Sequence, residues 1–360
     1  MIIATHWPPL KASLETRFSN KVGPWSHHEP DVMFSFSPMP TDCISTNQPV
    51  LEELMGRAQD YADASQAANT KKAYASDWTQ FRLWCETQSL CPLPASVPTV
   101  IAYLTDQADT GMKVSTLRRR VSSISHYHQA TFAGLDPTKT EETKTLVKGI
   151  RRQLGAAMRK APPLLSSTIK TMLATLNLEK MQGQRDRALI TLGFAAALRR
   201  SELVALCVED LTWRKQGVTL LIRRSKTDQE ALGESISLHR GKTEFCPVNA
   251  LRTWCDLAQI TTGPIFRAIN KGGAVGETLT AQSVALIVKR LAAAAEVPDP
   301  GEFSAHSLRS GMITTAIVNG CSAFEIMEVS RHKSEAVFRG YVQRARVAAY
   351  SNQTTTRLGL

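Results

Sequence analysis

The chain has 360 residues, of which 43% are hydrophobic, and it carries a formal net charge of +11 at neutral pH. Its length and apolar content suffice for two domains with buried cores, and the absence of a long apolar stretch argues against a membrane-spanning protein. The positive charge indicates a polyanionic partner, with nucleic acid favoured over membrane. Seven widely spaced cysteines without a CxxC pair fit neither a zinc module nor a disulfide framework, and they predict a cytoplasmic protein with reduced thiols.

Residues 1–49 are predicted to form a flexible extension rather than a domain. They contain seven prolines and no sustained hydrophobic periodicity. Three basic residues against four acidic ones make this segment slightly acidic, so the basic character belongs to the rest of the chain. Its start lacks the basic and apolar regions of a secretion signal, and we expect none.

Residues 50–157 are predicted to form an all-helical domain, because apolar residues recur there at helical spacing. The first three helices are predicted to begin at Asn69-Thr70, at Pro98 and at Ser115. A fourth helix is predicted to span residues 141–154. The predicted inner faces are Tyr74, Trp78, Phe81 and Cys85 in the first helix, Val97, Ile101 and Leu104 in the second, and Leu117, Val121, Ile124 and His128 in the third.

Basic side chains on these helices are candidates for contact with nucleic-acid phosphates, because cations that neutralise phosphate dominate such binding. Basic runs are also typical of solvated helix faces, and here the net charge favours contact. The candidates are Lys71, Lys72, Arg118, Arg119, Arg120, Lys148, Arg151 and Arg152.

A second domain is predicted over residues 164–345, after a linker at 158–163 marked by two consecutive prolines. Residues 346–360 are predicted to form a C-terminal tail. The predicted helices are 166–177, 184–206, 248–258, 281–295 and 306–345, the last interrupted near Gly320 and near Arg331-His332. Alternating apolar residues predict a hairpin of strands at 218–222 and 235–238. The whole chain is therefore predicted to be mainly α with a small antiparallel β-sheet.

The stretch "SAHSLRSG" predicts an anion site at the start of a helix. Ser304 is a plausible N-cap, so His306 and Arg309 share one face of the first turns. A helix N-terminus offers unpaired N–H groups, and arginine adds a planar fork suited to phosphate. An isolated HxxR is otherwise typical of an ordinary solvated pair, so the rest of the domain has to decide.

Motifs of several other enzyme classes are absent from the sequence. It contains no GxxxxGK[ST] loop, no HExxH and no GxSxG, which argues against nucleotide hydrolysis and zinc proteolysis. Instead, basic residues lie at predicted helix starts or turns in four segments of the second domain. These are "FAAALRRSELVAL", "RRSKTDQ", the HSLR opening and "SRHKSEAVFRGYVQRA".

The order of these segments resembles the tyrosine recombinase, or phage integrase-like, family over residues 65–345. That family carries an ordered series of Arg, Lys, HxxR, His or Trp, and Tyr. The matching residues are Arg199, Lys226, His306, Arg309, His332 and Tyr341, with Glu202 matching the acid that follows the first arginine. The stretch "NTKKAYASDWTQF" is similar to the family's core-binding domain.

The resemblance implies a helical core-binding (SAM-like) domain followed by an α+β catalytic domain. It implies a site-specific DNA recombinase that works through a 3′-phosphotyrosine and a Holliday junction, with no metal, cofactor or ATP. The implied partner is double-stranded DNA at paired recombination sites, bound by a homotetramer that is a monomer or weak dimer when free. It further implies a cytoplasmic protein of bacterial, phage or mobile-element origin that does not associate with membranes.

The chemistry of the matching residues suits this reaction. A tyrosine hydroxyl, with an ordinary pKa of about 10, is a poor nucleophile unless a base takes its proton and cations favour the developing charge. Tyr341 is the expected nucleophile. Arg199 and Arg309 are expected to clamp the two non-bridging phosphate oxygens.

The remaining members of the series have supporting roles. His306 and His332 are expected to bond the same oxygens or to pass a proton, and Lys226 to protonate the leaving 5′ oxygen. Glu202 is expected to orient and balance the cations.

Alternatives exist for several of these assignments. Tyr350 competes with Tyr341, although only Tyr341 has the family's spacing from a histidine, and Arg200 competes with Arg199. The rivals of Lys226 are Arg223, Arg224 and Lys242. The histidines outside the motifs are expected to be structural or surface residues, namely His27, His28, His126, His128 and His239.

The sequence departs from the family in two respects. Many members have glycine before the second histidine, where this chain has Arg331, so the local backbone or phosphate contact is expected to differ. No separate arm-binding domain is recognisable either.

Two other functions remain open from sequence alone, a type IB topoisomerase and a noncatalytic DNA-binding protein.

Overall fold

The chain divides into two compact units, Met1–Met158 and Arg159–Leu360. The computed structural model describes residues 48–64, 68–131, 136–155, 161–223, 233–332 and 334–348. The predicted extension falls outside this range except for its last two residues, and so does the tail from residue 349 onward.

The described part of the first unit is helical. Its elements are α1 (Gln48–Ala64), α2 (Ala68–Thr87), α3 (Val97–Asp109), α4 (Val114–Thr131), a 3₁₀ turn (Pro137–Lys139) and α5 (Glu141–Leu154). The caps follow from the sequence. The hydroxyl of Ser96 accepts the amide of Thr99 at 3.2 Å, with a proline in the first turn of α3, and Thr140 caps α5.

The core of the first unit packs α2 against α3 and α4. The predicted stripe of α2 is confirmed at Trp78, Phe81 and Cys85, whereas Tyr74 is half-buried. The inner face of α3 differs from the prediction. Val100 and Tyr103 are buried there with Leu104, while the predicted Val97 and Ile101 are only half-buried. The reason is that the ring of Tyr103 packs edge-on against Phe81 of α2, at a centroid distance of 4.9 Å. This contact turns the Tyr103 face of α3 toward the core.

His128 of α4 is a fully buried part of this core. Its Nε2 accepts the amide of Ala95 at 2.9 Å, so the ring proton lies on Nδ1, which donates to the carbonyl of Ile124 at 2.8 Å. Burial lowers the pKa of His128, which favours this neutral ring. His128 therefore joins α4 to the segment before α3, the structural role expected from the sequence.

The second unit packs helices around a three-stranded sheet. Its helices are α6 (Ser166–Ala174), α7 (Met181–Ala195), α8 (Arg200–Ala205), α9 (Pro247–Leu257), α10 (Ala281–Ala294), α11 (Ala305–Val318), α12 (Ala323–Ser330) and α13 (Glu335–Ala348). Its strands are β1 (Leu211–Arg214), β2 (Gly217–Ile222) and β3 (Glu234–His239), and 3₁₀ turns span Val208–Asp210 and Pro300–Glu302.

The sheet is antiparallel, with β2 between β1 and β3. Val218 pairs with Leu238 and Leu220 with Ile236, which puts alternate side chains of β2 into the core as predicted. Strand β1 was not expected from the sequence, because four residues are too few for a clear alternation.

The predicted helix 184–206 is wrong in one respect, since it is two helices. The chain leaves the helical path at Ala196–Arg199, where Ala197 takes a left-handed backbone with φ of 48°. The amide of Leu198 donates back to the carbonyl of Gly193 at 3.1 Å and closes the end of α7. This break makes Arg199 the N-cap residue of α8.

Helix α11 is packed closely against the chain that enters the second unit. The amide of Leu164 donates to the carbonyl of Ser307 at 3.0 Å, and the amide of Ser166 donates to the hydroxyl of Thr315 at 3.2 Å. Only glycine fits at position 311, because a Cβ there would lie 1.9 Å from the carbonyl oxygen of Leu164.

Among the described residues, no helix has the length and apolar character that a membrane span requires.

Candidate active site

The site is built from the start of α11. The hydroxyl of Ser304 accepts the amide of His306 at 3.2 Å, and the amide of Ser304 donates to the hydroxyl of Ser307 at 3.0 Å. This capping places His306 and Arg309 on adjacent turns of one helix, as the sequence predicted. His306 is exposed, whereas only 1% of Arg309 is exposed.

Arg309 joins three segments of the second unit through its guanidinium. Its Nη1 donates to the carbonyl of Ala197 at 2.6 Å, in the break between α7 and α8. Its Nη2 donates to the carbonyl of Ser330 at the end of α12 and lies 3.5 Å from Nε2 of His332. Burial, with the charges of Arg199 and Arg331, lowers the pKa of Arg309 to about 10, so it stays cationic at neutral pH.

Arg199 and Glu202 form one rigid pair at the start of α8. One carboxylate oxygen of Glu202 accepts the backbone amide of Arg199 at 2.9 Å, and the other accepts its Nη1 at 2.6 Å. The i, i+3 spacing on a helix start makes both contacts possible. Arg200 is exposed on the neighbouring position. The charge of Arg199 contributes to the lowered pKa of Arg309, so Arg199 belongs to the same cluster of charges.

Arg331 is the residue of this cluster to which the sequence analysis gave no definite role. It ends α12 with a left-handed backbone, φ 56°, and its guanidinium is buried. Its Nη2 donates to Glu202, and its Nε lies 3.5 Å from a carboxylate oxygen of Glu234 on β3. The signal in the sequence was the departure from the glycine that many members of the family have here.

His332 follows directly and lies among cations. Its Nδ1 bonds the hydroxyl of Ser330 at 2.7 Å, and its Nε2 faces the guanidinium of Arg309. Because a guanidinium only donates, Nε2 is the acceptor and Nδ1 carries the proton. Burial, followed by the charges of Arg309 and Arg199, lowers the pKa of His332 to about 4. The imidazole is therefore neutral at physiological pH.

Tyr341 reaches the same place from α13. Its hydroxyl lies 3.0 Å from Nε2 of His306, and its ring centroid lies 5.2 Å from that of His332. The body of the ring packs in a small apolar cluster with Ile313 and Phe338. An aromatic body held by apolar contacts, with its hydroxyl aimed at a histidine, is a suitable arrangement for a tyrosine nucleophile.

The comparisons with known proteins identify the family. The chain matches the model of the Phage integrase family over residues 163–346. It is 41% identical over 300 residues to an integrase/recombinase xerD homolog of Selenomonas ruminantium, covering 82% of this chain and 87% of the relative. The chain belongs to the phage integrase family. It is a tyrosine-type site-specific recombinase, and it shares 25% identity over 281 residues with the tyrosine recombinase XerD of Staphylococcus saprophyticus, covering 74% of this chain and 84% of the relative.

Solved structures share the fold of this recombinase. A lambda integrase (75-356) dimer bound to a COC' core site superposes with a TM-score of 0.53 at 16% identity, covering 81% of this chain and 94% of that one. XerH bound to palindromic difH substrate, a post-cleavage complex, gives a TM-score of 0.50 at 17% identity, covering 71% and 72% of the two chains.

Several predicted site residues and rivals either fall outside the described residues or have other settings. Lys226, Arg224 and Tyr350 are outside the described residues, as are His27 and His28. The described rivals of Lys226 have other settings, since Arg223 pairs with Asp210 and Lys242 is exposed in the loop after β3. His126 is half-buried beside Tyr74, and His239 is exposed at the end of β3.

The eight basic residues predicted on the helical unit do not share one environment. Lys72, Arg118, Lys148, Arg151 and Arg152 are exposed, and Lys71 is half-buried. Arg119 makes two hydrogen bonds to the carboxylate of Asp77, at 2.6 and 3.0 Å. Arg120 differs most from the expectation of phosphate contact, because it is buried, donates to Gln107 and stacks on the ring of Tyr103.

Proposed function

We propose that this recombinase cuts and rejoins double-stranded DNA through a covalent 3′-phosphotyrosine at Tyr341. The observation that carries the proposal is the 3.0 Å contact between the Tyr341 hydroxyl and Nε2 of His306, beside the buried cation Arg309. A phosphodiester brought to these residues would meet a nucleophile, a proton acceptor and fixed positive charge together.

In the cleavage step, the oxygen of Tyr341 bonds to phosphorus while the bond from phosphorus to the 5′ oxygen breaks. The tyrosine proton passes to Nε2 of His306, and Lys226 gives a proton to the leaving 5′ oxygen. Arg199 and Arg309 stabilise the charge that builds up on the non-bridging oxygens.

In the second step, a 5′-hydroxyl attacks the phosphotyrosine and releases Tyr341. The number of phosphoester bonds is the same before and after, so the exchange needs no ATP. When the attacking strand comes from a second site, the product is a Holliday junction. We propose that a homotetramer holds the two sites and that fixed protein cations serve in place of a metal ion.

The deciding experiment uses a nicked suicide substrate, from which the cleaved 5′ end diffuses away and leaves the protein attached to DNA. We expect a covalent adduct in denaturing gels from the wild type and from Tyr350→Phe, and none from Tyr341→Phe. An adduct from Tyr341→Phe would overturn the assignment of the nucleophile. DNA binding without any adduct would support the noncatalytic alternative.

Two further arms test the finer claims. Adduct formation is expected to survive EDTA, and its loss in chelator would contradict a mechanism that uses no metal. DNA with two sites is expected to give exchanged products and four-way junctions. Relaxation of DNA supercoils with no exchange would support the topoisomerase alternative.

A further inference from the structure

Arg331 holds a backbone conformation that most residues avoid. Its φ of 56° is in the left-handed region, where a Cβ is crowded and glycine is the usual choice. This position is also the one where the chain departs from the glycine of many family members. A bulky residue is therefore kept at a position where glycine would be easier for the backbone.

The Arg331 side chain contacts the catalytic cluster. It donates to Glu202, the carboxylate that also accepts two hydrogen bonds from Arg199. On its other side, its Nε lies 3.5 Å from Glu234, the first residue of β3. Arg331 thus joins the end of α12 to α8 and β3, and its side chain is only 3% exposed.

The charges indicate what this contact does. Glu202 is one buried carboxylate between two guanidiniums, so its negative charge is divided between Arg199 and Arg331. Without Arg331, the same carboxylate would face Arg199 alone and would neutralise more of its charge. Breaking a buried charged network also lets the remaining partners shift.

We propose that Arg331 is a positioning residue for strand cleavage. Its guanidinium fixes and partly neutralises the Glu202 carboxylate, so that Arg199 is presented to the scissile phosphate in one orientation with its charge available. This inference rests on the proposed function, because it requires that Arg199 contacts the phosphate.

The test compares Arg331→Gly, Arg331→Lys and a backbone control on the suicide substrate under single-turnover conditions. Glycine suits the left-handed backbone, so Arg331→Gly removes the side chain without adding strain. Gln259→Gly is the matched control. Gln259 is exposed, has φ of 52° and follows α9, so it relieves the same backbone strain without touching the cluster.

We expect Arg331→Gly to bind DNA within about twofold of the wild type and to form the adduct at least about tenfold more slowly. This loss is smaller than the hundredfold or more that removal of a direct transition-state ligand costs. Arg331→Lys keeps the charge but has no planar fork, and it is expected to recover part of the rate. Gln259→Gly is expected to cleave at the wild-type rate.

A purely structural role would give a different result. It would lower the fraction of protein that reacts, and so the final amount of adduct, while the rate of the active fraction stayed unchanged. That pattern, or a wild-type rate in Arg331→Gly, overturns the inference. If Arg331→Gly does not fold, Arg331→Lys decides the question. A wild-type cleavage rate in Arg331→Lys overturns the inference, whereas a slower rate with the full final amount of adduct supports it. Failure of the proposed function is distinguishable, because the wild type would then form no adduct.

Discussion

The hydroxyl oxygen of Tyr341 lies 3.0 Å from Nε2 of His306, although 35 residues separate them in the sequence. The contact forms because α13 packs on α11 inside one unit, near the charge of Arg309. The proposed nucleophile, proton acceptor and phosphate clamp therefore belong to one chain. Under the proposed function, each protomer attacks the phosphate bound in its own site.

This arrangement predicts that two inactive variants do not rescue each other. A mixture of Tyr341→Phe, which lacks the nucleophile, with Arg309→Lys, which lacks the clamp, is expected to form no more adduct than the two variants alone. The measurement is adduct formation on the suicide substrate at several mixing ratios. Rescue that peaks near equal amounts would show that the tyrosine acts on a neighbour's site.

Arg309→Lys alone is expected to lower both stability and activity. Lysine keeps the charge but cannot reach the carbonyls of Ala197 and Ser330 at once, so one buried carbonyl loses its charged partner. We expect a loss of about 1.5–3 kcal/mol in the free energy of unfolding. Cleavage is expected to slow by about 100-fold or more. A lower melting temperature with an unchanged cleavage rate would limit Arg309 to a structural role.

His332 is expected to stay neutral well below the ordinary pKa of histidine. Its pKa is lowered to about 4 by burial and then by the charges of Arg309, Arg199, His306 and Arg331, so little protonation occurs above pH 5. An NMR titration of the His332 ring, assigned by its loss in His332→Gln, is expected to show no midpoint near 6.5. A midpoint there would mean that the cations of the cluster are screened from the ring.

His128 is expected to make the helical unit less stable in acid. Its folded pKa is lowered, so below about pH 6.5 the unfolded chain binds more protons than the folded one and stability falls as the pH falls. The protection of the Ala95 amide against hydrogen exchange reports this locally, after correction for the intrinsic exchange rate. His128→Gln keeps an acceptor for that amide and is expected to lose the His128 part of the pH dependence, leaving the part from His126, whose pKa burial also lowers.

The exposed cations of α5 are expected to contact DNA phosphates. Replacing Lys148, Arg151 and Arg152 by glutamine is expected to weaken binding for any sequence. The slope of log K against log salt is expected to fall by about 1 for each phosphate that these side chains no longer neutralise. Arg120→Gln is the matched control for a buried cation, expected to lower stability and leave the slope unchanged. An unchanged slope in the triple variant would show that these side chains face solvent and do not neutralise DNA phosphates.

The sequence could predict what local patterns determine. It predicted α5 at 141–154 with both ends correct, the alternation of β2 and the capped start of α11 with His306 and Arg309 on one face. These features depend on residues a few positions apart, where spacing and capping chemistry act directly.

What the sequence could not predict depends on distant partners. The run "FAAALRR" has no glycine or proline, yet the helix breaks there, where the carbonyl of Ala197 meets Arg309, 112 residues later. The contact of Arg331 with Glu202 spans 129 residues in the same way. Three consecutive arginines on α4 likewise look equivalent until packing places Arg120 inside and Arg118 outside.

The close approach of Leu164 to Gly311 supports helix α11, which carries two residues of the candidate site. Leu164, which is not one of the proposed catalytic residues, contacts the helix that bears His306 and Arg309. A fragment trimmed to begin after Leu164 would keep every described side chain of the proposed site and still lose this support for helix α11. The structural unit that supports the candidate site thus begins about 35 residues upstream of Arg199, the first of the proposed catalytic residues.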